Sequence, residues 1–224
     1  MNTPMESTAS FEARLQAAIV SLEGGGPMHS SPELPQRVNE RLASAGEVAD
    51  MRSALVDRAA LRQVNQLLLQ ARNAGTRPKR VLWLKHAADT FSAAVAPHAA
   101  CKKGCSHCCH ISLRFTEAEA IEIGKAIGIP PSSDAADKPE RAVENEPCPF
   151  LRDETCSIHP HRPIVCRTHF NMDGDDLLCQ LVPGAAVPVP YMDNRAILLG
   201  TLLVGATSPR IADVRDWFPK GLGQ

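Results

Sequence analysis

The sequence predicts a mainly α protein: a helical scaffold that carries an irregular, loop-rich cysteine region with at most a few short strands. Three observations point there. Before residue 97, apolar residues recur at helical spacing. Aromatic residues make up only 4% of the 224-residue chain, which is poor material for strands. All eight cysteines lie between residues 101 and 179.

Four stretches follow in order. Residues 1–32 read as a flexible arm with one short helix: Phe11, Leu15, Ile19 and Leu22 share a face, Ser10 is placed to cap it, and Gly24-Gly25-Gly26-Pro27 ends it. Residues 33–96 read as helical throughout. Val48, Met51 and Leu55 share one face, and Leu61, Val64, Leu68 and Ala71 form a second stripe. Pro78 opens the next helix in its first turn, and Val81, Leu84, Ala88, Phe91 and Val95 form its buried side. Residues 97–182 hold the cysteines. Within them Ile111–Phe115 alternates like a short strand. Thr116 is set to cap a helix through Ala120, Ile123 and Ile127, with Glu119 completing a capping box and Gly128 and Pro130 stopping it. Residues 183–224 read as an extended Pro183–Pro190 segment, then a helix from Asp193 to about Val204 and a short one near Ile211–Trp217, packing back on the domain.

Composition removes several function classes. The formal net charge is -1, so bulk charge draws the chain to neither nucleic acid nor anionic lipid. No basic start followed by an apolar run marks a secretory signal. The longest apolar run, Ala196–Ala206, has about half the length needed to span a bilayer. A cytoplasmic protein is expected, with no membrane and no nucleic-acid partner. In a reducing cytosol, clustered cysteines are metal ligands more readily than disulfides. No Gly-rich nucleotide loop follows a strand, and no Ser–His–Asp arrangement can be argued.

The cysteines fall into two blocks. The first is Cys101-x3-Cys105-x2-Cys108-Cys109, in a loop containing Gly104 that can turn several thiolates toward one ion. The second is Cys148-Pro149-Phe150-Leu151, Cys156-Ser157-Ile158-His159 and Arg162-Pro163-Ile164-Val165-Cys166-Arg167, with Cys179 beyond it. Pro163 suits the start of a helix, which puts Cys166 in a first turn whose dipole favours thiolate. The expected metal ligands are Cys101, Cys105, Cys108, Cys109, Cys148, Cys156, Cys166 and Cys179. Arg162 and Arg167 bracket Cys166 and would offset the negative charge of a thiolate site. His107, His110, His161 and His169 lie near enough to substitute, but read as surface or supporting residues.

These residues resemble the YkgJ-type cysteine-cluster family, whose shared domain is described as zinc- or iron-chelating. The resemblance covers about residues 98–180. His159 stands where the family usually has Tyr, which suggests packing in place of an aromatic ring in preference to the alternative, an extra ligand. Relatives are labelled Fe–S oxidoreductases, and one methylates flagellin lysines. The resemblance therefore implies a metal-binding protein that chelates zinc or iron. The alternatives are an Fe–S protein acting in redox or group transfer, and a zinc module that docks a protein partner.

Ligand type does not choose the metal. Zinc and a [4Fe–4S] cluster both take about four thiolates. Eight cysteines would supply two such sites, or one with thiols in reserve. The adjacent Cys108 and Cys109 are hard to aim at one ion, so they would serve different metals or only one would bind. Cys101, Cys105 and Cys108 also carry the spacing of radical S-adenosylmethionine enzymes. That fold needs alternating strands and helices after the motif, and the sequence beyond Cys109 lacks them.

Overall fold

The computed structural model describes residues 34–139, 146–204 and 209–222. The expected arm at 1–32 lies outside them. The protein is mainly α, as the sequence predicts. Helix α1 runs Gln36–Ala54, α2 Arg58–Asn73 and α3 Arg77–Val95. The cysteine region follows with β1 (Arg114–Thr116), α4 (Glu117–Ile127), the hairpin strands β2 (Leu151–Arg152) and β3 (Thr155–Cys156), and α5 (Ile164–Thr168). Helix α6 (Arg195–Leu202), β4 (Ile211–Asp213) and α7 (Val214–Trp217) close the described chain.

The apolar stripes of α2 and α3 do what their spacing dictates. Val64, Ala71, Val81, Leu84, Ala88, Phe91 and Val95 are buried in one core, with Leu61 and Leu68 packed against it. Pro78 stands in the first turn of α3, where its missing N–H costs nothing. Phe170 and Met172 join this core from the cysteine region, with Phe170 beside Phe91 at 6.3 Å between ring centroids.

Helix α1 departs from expectation. Met51 and Leu55 are 64% and 65% exposed, so the predicted face is not buried. The helix instead buries Val38 and Ala45 against Leu178, and so packs on the loop that carries Cys179. Arg41 fixes the same loop through Asp173 at 3.0 Å and Asp175 at 2.8 Å. Arg52 donates to the carbonyls of His98 and Gly174.

A second core forms inside the cysteine region. Leu113, Phe115, Ile123, Phe150, Ile158, Trp217 and Phe218 are its larger members. Strand β1 pairs antiparallel with β4, Arg114 facing Asp213, which brings the C-terminal Trp217 and Phe218 under the first cysteine loop. The Trp217 indole donates to the Phe115 carbonyl at 3.0 Å, and Phe150 meets Phe218 at 5.3 Å. Gly221, in the left-handed region at φ 55°, lies so close to Pro149 that a Cβ would overlap the Pro149 carbonyl.

The capping box at α4 does not form. Thr116 makes no side-chain cap bond. Glu119 is buried and turns its carboxylate to the Ile164 N–H at the start of α5. A cross-chain cap wins because α5, five residues long, needs its first N–H satisfied inside the core.

Candidate metal centre

The first cysteine loop is built by turns rather than by regular structure. Gly104 at φ 87° turns the chain so that Cys105 N–H bonds Lys102 O at 3.0 Å. A short 3₁₀ turn over His107–His110 then presents Cys108 and Cys109. The second block hangs on a two-residue hairpin. Leu151 pairs with Cys156, and Asp153 and Glu154 both take positive φ, as the twist of such a tight hairpin demands. The Ser106 hydroxyl donates to the Glu154 carboxylate, which ties this hairpin to the first loop. The two blocks also meet at the backbone, where Cys148 N–H donates to Cys109 O at 2.7 Å.

The eight thiols sort into two groups of four. Cys109, Cys148, Cys156 and Cys166 all pack on the second core. Burial raises the thiol pKa of Cys166 well above its ordinary value, and Cys148, Cys109 and Cys156 raise it further through their charges. Burial likewise pushes Cys148 up to about 11, with Cys109 and Cys156 adding to it. The other group is Cys101, Cys105, Cys108 and Cys179. Burial pushes Cys179 up to about 12, with Cys101 and Cys105 adding to it. Tyr191 feels all four of these sulfurs, and its phenol is held upward by burial first and then by their charges. The adjacent pair stands where the groups touch. The hydrogen bond that the Cys109 thiol gives to Cys108, followed by burial, raises Cys109.

Each group has its own supporting residues. In the first, Asn171 donates its amide to Cys179 Sγ at 3.2 Å, and its backbone carbonyl accepts Ala100 N–H beside Cys101 at 2.8 Å. His107 pairs with Asp176 at 3.0 Å and so anchors the loop to the Cys179 turn. At the second group the Arg215 guanidinium donates to the carbonyls of Cys109 at 3.1 Å, Ile111 at 3.2 Å and Glu146, and pairs with buried Asp213 at 3.0 Å. The positive charge of Arg215 lowers both Cys109 and Cys148 against the other influences on them.

Arg162 and Arg167 do different jobs. Arg162 lowers Cys101, Cys156 and Cys166, so its charge reaches both groups. Arg167 also lowers Cys156, but it is a buried clamp. It bonds Asp89 at 2.6 Å, the Arg162 carbonyl at 2.9 Å and the Pro160 carbonyl at 2.5 Å. The expected help of a helix dipole at Cys166 is overridden, because a five-residue helix cannot offset desolvation beside three other thiols. His159 is exposed and is no packing group.

Sequence reasoning missed Asn171, Tyr191 and Arg215. Arg215 lies 36 residues beyond Cys179 in a stretch with no cysteine signal, and only the β1–β4 pairing brings it in.

Residues 100–181 match the family model of the CxxCxxCC domain, described as a "putative zinc- or iron-chelating domain". The cysteine region is thus similar to that domain over a little more than a third of the chain. The match takes in all eight cysteines together with Asn171, Arg162 and Arg167, and leaves α1–α3 and Arg215 outside it. No curated protein and no solved structure matches the chain significantly.

The donor set of the cysteine region suits a thiophilic cation. Buried thiols with raised pKa stay protonated in water-poor surroundings, and a metal that displaces the protons makes the thiolate form favourable. Among the described residues, no three His, Cys, Asp or Glu side chains stand ready-made as a metal shell. Tetrahedral bonds of about 2.3 Å put thiolate sulfurs about 3.8 Å apart, a spacing that neutral thiols have no force to adopt. Among the described residues, no helix is long and apolar enough to cross a membrane.

Proposed function

We propose that this protein chelates zinc or iron at two four-thiolate sites. Cys101, Cys105, Cys108 and Cys179 form one; Cys109, Cys148, Cys156 and Cys166 form the other. The observation that carries the reading is the sorting of eight clustered thiols into two groups of four. Four is the number that both a structural zinc ion and a [4Fe–4S] cluster take. The sorting also accounts for the adjacent Cys108 and Cys109, since neighbours in sequence serve different metals without strain.

Four thiolates around a divalent ion leave a net negative charge. Arg162 offsets it at both sites, Arg215 at the second, and the Asn171 amide at the first. The metal would supply cross-linking of loops that have little regular structure of their own. Iron in clusters would add electron transfer.

The test is purification without oxygen, followed by metal analysis and absorption spectroscopy. Stoichiometric zinc in a colourless protein selects zinc sites. Broad brown absorption with iron and acid-labile sulfide selects clusters. Protein that retains neither metal after reconstitution under reducing conditions would contradict the proposal.

A further inference from the structure

The two thiol groups are not equally shielded. The second lies against Phe115, Phe150, Trp217 and Phe218, and Cys166 is also covered by Leu198 and Leu202. In the first group, Cys105 follows three exposed residues, Lys102, Lys103 and Gly104. A pocket of about 440 Å³ opens beside this group, at the start of α6, with His169, Tyr191, Asn194 and Arg195 among its lining.

The pocket and the first group share a wall. Tyr191 forms a β-bridge with Asn171, whose amide bonds Cys179. The His169 carbonyl lies 4.0 Å from Cys101 Sγ. The His169 and Tyr191 rings pack tilted at 39°, with centroids 3.9 Å apart. His169 Nε2 is buried and has no hydrogen-bond partner among the described residues. A buried imidazole nitrogen left without a partner is unfavourable unless something occupies it. Neutral imidazole is a donor for zinc and ferrous iron, the same ions that thiolates take.

We propose that this pocket is the port by which metal enters and leaves the first thiol group, with His169 Nε2 as the donor that takes the ion on its way. The second group, packed on the aromatic core and holding the one buried thiol of the eight, Cys148, keeps its metal. This rests on the two-site reading above. Ligand exchange proceeds stepwise: the imidazole nitrogen binds as one thiolate is released and takes up a proton, so the ion never stands bare. Asn194, in the pocket lining, donates its amide to the Thr168 carbonyl and hydroxyl.

The experiment uses the full chain loaded with zinc under reducing conditions and challenged with excess EDTA. The zinc content before the challenge tests the two-site reading; a chain that takes up no zinc overturns that reading and this one with it. With two equivalents bound, the port predicts two phases of release, one at least tenfold faster than the other. Cys179→Ser removes the fast phase. His169→Phe, which keeps a ring against Tyr191, slows the fast phase about tenfold, while the slow phase serves as the internal control. In His169→Ala, added imidazole restores the fast phase. Release of both equivalents in one phase, a fast phase unchanged by His169→Phe, or a His169→Ala protein that loads zinc but does not respond to imidazole would overturn the proposal.

Discussion

The side-chain amide of Asn171 donates to the sulfur of Cys179 at 3.2 Å, while its own carboxamide oxygen accepts the Asp173 N–H at 2.8 Å. Asn171 is 1% exposed, so both bonds form out of water's reach. Such a donor favours thiolate over thiol. Replacing Asn171 by Asp keeps the shape and puts a carboxylate against the sulfur. The expected result is about 10–100-fold weaker metal retention at the first site, the usual size of an effect exerted one layer out from the ligands. Competition with a zinc indicator measures it, and unchanged affinity would remove Asn171 from the site.

Arg215 ties the C-terminal strand and helix to the second site. It and Asp213 are almost wholly buried. Arg215→Leu leaves the Asp213 carboxylate without its cation, and breaking a buried pair costs about 3–5 kcal/mol. Chemical denaturation should show a loss of that order. Arg215→Lys keeps the charge but cannot reach several carbonyls at once, so it should recover only part of the loss. A loss below about 1 kcal/mol in the Leu variant would show that the pair is not a keystone.

Arg162 and Arg167 should separate under the same substitution. Arg167→Gln removes the bonds to Asp89, Pro160 and Arg162, and is expected to lower both stability and metal retention. Arg162→Gln removes a charge felt by Cys101, Cys156 and Cys166 and should weaken metal retention about 10–100-fold with little change in the melting of the metal-free chain. Equal melting losses in the two variants would contradict this division.

Glu119 sets a pH dependence. Burial raises its pKa to about 7, against the partial opposition of the Ile164 N–H and Arg167. The folded chain therefore holds a proton on Glu119 that the unfolded chain releases near its ordinary value of 4.5. The stability that this proton gives is complete below about pH 4.5, falls as the pH rises, and is gone above about pH 7, a range worth about 3 kcal/mol. Glu119→Gln keeps an acceptor for Ile164 N–H and should flatten the decline between pH 5 and 7. Denaturation midpoints across that range check it; a variant as pH-dependent as the wild type would place the effect elsewhere.

The helical scaffold was legible because its stripes have one period and one partner. Leu61–Ala71 and Val81–Val95 are buried where helical spacing puts them. Helix α1 was misread because Met51 and Leu55 look like a seam, while its packing is decided by Arg41 and by two small buried residues, Val38 and Ala45. The candidate ligands were visible as cysteines, but their sorting was not. Which thiol faces which depends on the turn at Gly104, the Asp153-Glu154 hairpin and the pairing of β1 with β4, and the last joins residues about 100 apart. Glu119 shows the same limit. Its local motif promised a capping box, and the tertiary demand at Ile164 took the carboxylate instead.

The division of the eight thiols into two independent sites is tested most directly by counting metal in two double variants purified without oxygen. Cys105→Ser with Cys179→Ser disables the first group; Cys148→Ser with Cys166→Ser disables the second. The wild-type chain is expected to hold two zinc ions or two iron–sulfur clusters, and the first double variant to keep one. The second should also keep one if its fold survives the loss of its buried site, which circular dichroism reports. A wild-type chain that holds a single ion or cluster, or a folded variant that loses all metal when only one group is disabled, would contradict the account.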